Sequence, residues 1–111
     1  MIDPIQRSGA FGTPLKEAVA SAPNAMGCYR IYCDGSLKYA GKAEDGIRKR
    51  FVQYYNGTTA HYPSAINIYR NRDRISVKWQ VLSSREECRR TEAEWIRTLN
   101  PPWNSRSGWK I

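Results

Sequence analysis

The architecture of this chain is most readily inferred from residues 27–55, GCYRIYCDGSLKYAGKAEDGIRKRFVQYY. Gly27–Tyr32 is rich in aromatic and other β-favouring side chains, and Leu37–Ala40 alternates as a returning strand. Between them, Asp34-Gly35 is typical of a tight hairpin turn, because both residue types tolerate left-handed backbone angles. We expect the second strand to end at Gly41, where the missing side chain allows a turn or the close approach of a ligand.

A helix is predicted after the hairpin, over Asp45–Tyr55. Its apolar side chains recur at helical spacing and predict one buried face, made of Ile47, Phe51 and Tyr54. Arg50 leans toward that face rather than into solvent. An arginine in this position either covers the core with its aliphatic stem or binds an anion.

Composition limits the class of protein. The chain has 111 residues, enough for one modest domain, and 18 Lys and Arg against 10 Asp and Glu give a formal net charge of +8. A domain that basic is expected to attract polyanions such as nucleic acid. Its 3 cysteines lack metal-ligand spacing and fit a reducing compartment. Without an apolar run of membrane-spanning length or a secretory signal pattern, we expect a cytoplasmic protein that makes no membrane contact.

Residues 1–24 are predicted to form an N-terminal extension with one short helix. Met1–Gly12 shows no sustained periodicity. Thr13-Pro14 is a favourable helix start, with threonine as the cap and proline in the first turn, so Leu15–Ala20 should be helical. Two roles stay open for this extension, namely a brace or lid on the core and an arm that contacts a substrate.

The middle of the chain predicts a loop, a helix and a third strand. Asn56-Gly57 ends the preceding helix, and the loop that follows carries the single histidine, His61, which we expect to be solvated. Pro63 begins a second helix that continues to about Asn71. Ile75–Leu82 alternates apolar and polar side chains, as a strand with one buried face does.

The last helix is predicted to run from Ser84 to Leu99. Ser84 and Glu87 have the spacing of a capping box, and two prolines after Asn100 forbid continuation. The tail retains Trp109, which either packs back on the sheet or stacks against a base.

Glu92 interrupts the apolar stripe of this helix. It lies between Cys88 and Trp95 at helical spacing, on the side expected to pack against the sheet. Because a buried carboxylate without a partner is costly, Glu92 either pairs with a base such as Arg89 or Arg50, or binds a cation. Periodicity alone leaves both interpretations open.

Five blocks of the sequence, in their order and with their gaps, resemble the GIY-YIG nuclease family. The blocks are Gly27-Cys28-Tyr29, Tyr39-Ala40-Gly41-Lys42-Ala43, Arg50 with Tyr54, Glu92, and Pro102-Trp103-Asn104. The second block is similar in particular to the version at the start of the incision subunit of bacterial nucleotide-excision repair. The resemblance covers about residues 25–104, and five ordered blocks are far more specific than one three-residue signature.

The resemblance implies an α+β fold with a small three-stranded antiparallel sheet flanked by helices, in agreement with the elements predicted above. Residues 25–104 would form the nuclease-like domain, and residues 105–111 would form a C-terminal tail. Tyr54 stands where many members of the family have histidine, so a histidine base is not expected here.

By this resemblance, the chain is expected to be a metal-dependent DNA endonuclease that uses one metal ion, Mg²⁺ or alternatively Mn²⁺. The candidate catalytic residues are Tyr29, Tyr39, Lys42, Arg50, Tyr54, Glu92 and Asn104. Glu92 would hold the metal ion, and Arg50 would bind the phosphate. Tyr39 is the first choice as base or water-positioning residue, with Tyr29 orienting it, and the reverse assignment stays open.

The remaining candidates would support this chemistry. Tyr54 would orient the water or the phosphate, and Asn104 would brace either the glutamate or the backbone. From an ordinary pKa near 10, a tyrosine phenolate costs about 4 kcal/mol to populate at pH 7. The positive charges of Lys42, Arg50 and the metal ion would lower that cost.

The expected partner is DNA, double-stranded or branched, bound by a monomer or a homodimer. One such site makes one nick, so a double-strand break would need a dimer or two visits. Two alternatives predict no cleavage. A catalytically silent module of the same fold would bind DNA or RNA through phosphate contacts, and a protein-interaction domain would have no affinity for polyanions.

Overall fold

The computed structural model of the protein describes residues 12–59 and 62–104. The expectations for Met1–Phe11, His61 and Trp109 lie outside these residues. Within them, every helix is too short or too polar to span a lipid bilayer. The elements in chain order are β1 (Thr13–Pro14), α1 (Leu15–Ser21), β2 (Gly27–Cys33), β3 (Ser36–Ala43), α2 (Ile47–Asn56), α3 (Pro63–Arg70), a 3₁₀ turn (Arg72–Arg74), β4 (Ile75–Val81) and α4 (Arg85–Leu99).

The sheet is antiparallel with the strand order β1-β4-β2-β3, which confirms the α+β class. The prediction of three strands is wrong, because Thr13 and Pro14 pair with Val77 and Ser76 on β4. Pro14 keeps an extended backbone, with ψ of 139°, so it precedes the helix and Thr13 does not cap it. A proline is tolerated in an edge strand, and two residues are too few to show the alternation by which strands are predicted.

The β2–β3 hairpin has the predicted turn. Asp34 and Gly35 have φ angles of 51° and 83°, the left-handed pair of a type I′ turn. The expectation that β3 ends at Gly41 is wrong, because the strand continues to Ala43. Gly41 pairs with Tyr29 inside the sheet, so its missing side chain makes room for side chains rather than for a turn.

Helices cover both faces of the sheet. The main hydrophobic cluster lies on the face that packs against α1 and α2, and it includes the fully buried Tyr29 and Phe51. A smaller cluster lies on the opposite face, where Cys28 meets Cys88 and Trp95 of α4. Alternate residues of β2 therefore contact different helices.

The helix ends lie close to their predicted positions. α2 begins at Ile47, slightly later than predicted, after Gly46 with φ of 132°. α4 has the predicted cap, since Ser84 Oγ accepts a hydrogen bond of 3.1 Å from the Glu87 N–H. Asn100, in the left-handed region with φ of 47°, ends α4 just before the two prolines.

Candidate active site

Tyr29 and Tyr39 lie on neighbouring strands, on the sheet face that packs against α2. The register pairs Tyr29 with Gly41 and Ile31 with Tyr39, so the two tyrosines are diagonal neighbours. Their ring centroids are 6.3 Å apart. A Cβ atom at Gly41 would lie 2.6 Å from Tyr29 Oη and 2.9 Å from Tyr39 Cε2. Glycine at this position therefore leaves the space that the two rings occupy.

Tyr29 and Tyr54 share a hydrogen bond inside the core. Their hydroxyl oxygens are 2.5 Å apart, and the side chains are 0% and 4% exposed. Burial raises the pKa of both phenols well above the usual value, and the proximity of the Tyr39 phenol raises both further. Both hydroxyls stay protonated near neutral pH. Because Tyr29 is fully buried, it can act on a ligand only through its neighbours.

Tyr39 is half-buried and lines two adjoining cavities. Burial raises its pKa, and the negative charge of Glu92 raises it further. Hydrogen bonds with Ser64 and Tyr54, together with the charge of Arg50, oppose this shift without cancelling it. Of the three tyrosines in this cluster, Tyr39 is the one that reaches both cavities.

Arg50 connects α2 to the end of β3. Its Nη1 donates a hydrogen bond of 3.4 Å to the Lys42 carbonyl, and its guanidinium interacts with the hydroxyls of Tyr29 and Tyr54. Burial lowers the pKa of Arg50. The interactions with the two phenols outweigh the effect of burial, so the pKa lies above its usual value. Arg50 lines the same two cavities as Tyr39, where it supplies a permanent positive charge.

The smaller cavity, which we call the carboxylate cavity, has a volume of about 330 Å³. It lies where the end of β3, the start of α2 and the middle of α4 meet. Glu92 comes from the helix on the sheet face opposite the tyrosines, so the two sets of side chains meet beyond the edge strand β3. The walls are formed by Tyr39, Lys42, Glu44, Asp45, Arg50 and Glu92.

Two ion pairs organise one wall of the carboxylate cavity. Lys42 Nζ lies 3.7 Å from Glu44 Oε2, and Glu44 Oε1 lies 3.8 Å from Arg85 Nε. Glu92 is half-buried in the same cavity, whereas Arg89, one of the bases suggested by its spacing, is exposed. Arg50, the other suggested base, lines this cavity together with Glu92, and the cavity leaves a space beside them that a cation can enter.

The Asn104 side chain holds the outer edge of β3. Its Oδ1 accepts a hydrogen bond of 3.0 Å from the Ala40 N–H, and its Nδ2 donates one of 2.9 Å to the Ala40 carbonyl. Beside it, the Trp103 N–H donates to the Lys38 carbonyl at 2.7 Å. Asn104 thus continues the hydrogen-bond ladder past the edge strand and fixes the backbone next to Tyr39. Of its two predicted roles, this geometry matches bracing of the backbone.

A family model described as the GIY-YIG catalytic domain matches residues 25–106 of the chain. The chain belongs to the GIY-YIG family. The resemblance drawn from the five sequence blocks is therefore confirmed. The matched residues contain β2, β3 and β4 together with α2, α3 and α4, and so they contain every element that contributes to the carboxylate cavity.

Among curated proteins, the UvrABC system protein C of Rhodococcus erythropolis is 29% identical to this GIY-YIG chain over 92 residues. The match covers 82% of the chain and 12% of the relative. The chain therefore spans about an eighth of the length of that relative.

Solved structures share the fold of this chain. The N-terminal endonuclease domain of UvrC from Thermotoga maritima, a point mutant bound to its catalytic divalent cation, has a TM-score of 0.67 at 23% identity, over 83% of this chain and 96% of that one. The same domain bound to magnesium has a TM-score of 0.66 at 23% identity, over 81% and 94%. A mutant of bacteriophage T4 EndoII has a TM-score of 0.58 at 17% identity, over 74% and 75%.

The donor set of the carboxylate cavity fits a magnesium ion, which prefers oxygen ligands and retains several water molecules. Glu92 offers a carboxylate, and Glu44 and Asp45 bring two more to the walls. However, within residues 12–59 and 62–104 no group of three or more His, Cys, Asp or Glu side chains is placed to hold a metal ion. The protein alone would bind such an ion weakly, so water and phosphate oxygens would have to complete its coordination.

Sequence reasoning missed several residues of the two cavities. Glu44 and Asp45 line the carboxylate cavity, and their position directly after β3 was a signal that could have identified them.

The larger cavity, which we call the tyrosine cavity, has a volume of about 560 Å³. Its walls include, besides Tyr39 and Arg50, the side chains of Gln53, Tyr54, Thr59, Tyr62 and Ser64. Of these, Gln53 had a signal, because it lies one helical turn after Arg50 on α2.

Proposed function

We propose that this chain is a metal-dependent endonuclease that hydrolyses phosphodiester bonds in DNA. The observation that carries the proposal is the carboxylate cavity, where Tyr39, Arg50 and Glu92 meet although they come from three separate elements. Phosphodiester hydrolysis needs an activated water, positive charge near the phosphate oxygens and stabilisation of the leaving oxygen. The chemistry of these residues and membership of the GIY-YIG family both support this assignment.

Glu92 is the residue that would hold the divalent ion, Mg²⁺ or alternatively Mn²⁺. Glu44 lines the same cavity, where its carboxylate lies between Lys42 and Arg85. A bound ion would supply electrostatic stabilisation of the phosphate and of the leaving oxygen. The small number of carboxylates supports one metal ion rather than two, and the magnesium bound to the Thermotoga maritima UvrC domain is consistent with this choice of metal.

Arg50 binds the phosphate that is cleaved. Its planar guanidinium matches phosphate oxygens, and its hydrogen bond to the Lys42 carbonyl limits the directions in which it can point. Lys42 adds positive charge to the same wall, although its ammonium group also lies beside Glu44. We therefore assign Arg50 the direct contact and Lys42 an electrostatic contribution.

Tyr39 orients the attacking water and removes its proton. It lines the carboxylate cavity, whereas Tyr29 is fully buried. Burial and the charge of Glu92 both raise the pKa of Tyr39, and positive charge brought into the cavity opposes that shift. Tyr29 and Tyr54 are positioning residues, because their shared hydrogen bond places Tyr54 against the Tyr39 hydroxyl.

Substitution of Glu92 tests the proposal. We expect Glu92→Gln to slow Mg²⁺-dependent nicking of supercoiled plasmid by about a hundredfold or more, because an amide is a poor ligand for a hard cation. Glu86→Gln is the matched control, because Glu86 is an exposed glutamate of the same helix outside the carboxylate cavity. Its Oε2 lies 3.6 Å from Arg90 Nη1. A chelator should abolish nicking by the wild-type chain.

Other outcomes of this experiment identify the alternatives. Salt-sensitive DNA binding without nicking, under every metal ion and substrate tried, would favour a catalytically silent module of the same fold. No affinity for DNA at low salt would favour a protein-interaction domain. One site cleaves one strand, so we propose that a monomer nicks and that a double-strand break requires a homodimer or two visits.

A further inference from the structure

We infer that the tyrosine cavity receives the base of an unpaired nucleotide next to the cleaved phosphate. The substrate class is then DNA with an unpaired nucleotide at the cut site, such as a bulge, a flap or a single-stranded region. This inference rests on the proposed nuclease function and specifies its substrate.

The first support is that the two cavities are contiguous. Both are lined by Tyr39 and Arg50, and Tyr54 extends the wall of the tyrosine cavity from the same cluster. A phosphate bound by Arg50 carries a sugar and a base a few bonds away. The tyrosine cavity is therefore an adjoining concave space into which that base can turn.

The second support is the chemistry of the walls. Tyr62 is 58% exposed and offers an aromatic ring on which a base can stack. The amide of Gln53 provides a donor and an acceptor for the polar edge of a base, and Ser64 adds a hydroxyl. Thr59 lines the same cavity beside these residues.

The third support is the shape of the tyrosine cavity. Its volume of about 560 Å³ lies within the range of cavities that enclose small ligands. A paired base lies inside the helical stack and cannot enter such a cavity until it leaves the stack. That step is easiest for a base that already lacks a partner, which is why the cavity favours unpaired nucleotides.

Cleavage of matched oligonucleotides tests the inference. One set of duplexes carries an unpaired nucleotide at the mapped cut site, and a second set carries an abasic residue in its place. The wild-type chain with Mg²⁺ should cleave the first set about tenfold faster, as expected for stacking of one base. Tyr62→Ala and Gln53→Ala should remove this difference. Val81→Ala, at a 51% exposed apolar residue outside both cavities, is the control and should keep it.

A binding measurement separates this inference from the proposed function. With the Glu92→Gln variant and 2-aminopurine as the unpaired base, binding should quench fluorescence, and adding Tyr62→Ala should abolish the quenching. Equal cleavage with and without the base, or equal quenching with and without Tyr62, would overturn the inference and leave the nuclease proposal standing. Quenching that depends on Tyr62, with no cleavage by the wild-type chain, would support the base site and overturn the nuclease proposal.

Discussion

At the scale of single residues, Gly41 is a position where the fold leaves no room for a side chain. A Cβ atom there would lie 2.6 Å from Tyr29 Oη and 2.9 Å from Tyr39 Cε2. We expect Gly41→Ala to lower the free energy of unfolding by about 1–3 kcal/mol, because two packed rings must shift. Urea unfolding measures this loss.

Tyr29→Phe provides a matched test of the cause. Its hydroxyl oxygen is the atom nearest to the added methyl group, so Gly41→Ala should cost less in the Tyr29→Phe background than in the wild type. The same cost in both backgrounds would show that the Tyr29 hydroxyl is not the contact that resists the change.

The pH dependence of cleavage tests the role of Tyr39. Burial, and then the charge of Glu92, raise its pKa above the ordinary value near 10. If the phenolate is the base, its population grows as the pH rises toward that pKa, so cleavage should accelerate by about tenfold per pH unit above pH 7. Steady-state rates of the wild type and Tyr39→Phe, measured at constant Mg²⁺, supply the comparison. A flat profile for the wild type would show that Tyr39 only positions the water.

The positions of single residues were predictable from the sequence to different degrees. Spacing placed Arg50 on the inner side of α2 and Glu92 on the inner side of α4, and the structure brings both to one cavity. Spacing could not show that Tyr29 is fully buried while Tyr39 is accessible, because both belong to strands with the same alternation. That difference arises from Phe51 and Tyr54, whose rings pack on Tyr29 from another element.

At the scale of elements, β3 is an edge strand whose outer side is stabilised by one side chain. Asn104 makes two hydrogen bonds to Ala40. The Ala40 N–H and the Ala40 carbonyl would both lose this partner in Asn104→Ala. We expect a loss of about 2 kcal/mol of stability, since a net protein hydrogen bond contributes about 1 kcal/mol. Hydrogen exchange at the Ala40 amide should accelerate. We also expect kcat to fall by a larger factor than KM changes, because Tyr39 precedes Ala40 on β3 and its side chain would lose its fixed position when the strand backbone loosens.

Asn56→Ala, at the exposed last residue of α2, is the control for the asparagine substitution. It should leave both exchange at Ala40 and kcat near the wild-type values. If Asn104→Ala also leaves kcat unchanged while the Ala40 amide exchanges faster, bracing of this strand does not contribute to the chemistry.

The elements that the sequence failed to predict are those formed by tertiary contacts. β1 is two residues long and exists because β4 offers an unpaired edge. The extension of β3 beyond Gly41 depends on pairing with Gly27 and Cys28 across the hairpin. The helices, by contrast, have their own sequence signals, namely apolar spacing, caps and prolines. For this reason the helices lie close to their predicted positions.

At the scale of the whole molecule, the candidate site lies beyond an edge of the sheet. Tyr39 projects from the face that packs against α2, whereas Glu92 belongs to the helix on the other face. Two helices on opposite faces can reach a common cavity only where the sheet ends, which is at β3. The position of this cavity is therefore a consequence of the strand order, which single-sequence patterns do not reveal.

The charge of the whole chain gives the last prediction. With a formal net charge of +8, the chain should bind DNA with an affinity that falls steeply as salt rises, because each phosphate contact releases a counterion. Binding titrations of the slowly cleaving Glu92→Gln variant, measured without Mg²⁺ at several salt concentrations, give the slope of log affinity against log salt concentration. Removing one phosphate contact with Arg50→Ala should reduce the magnitude of that slope by about one, whereas Lys16→Ala, at an exposed residue outside both cavities, should change it less. An unchanged slope in Arg50→Ala would contradict the contact assigned to this guanidinium, because the charge would then be removed without loss of a bound phosphate.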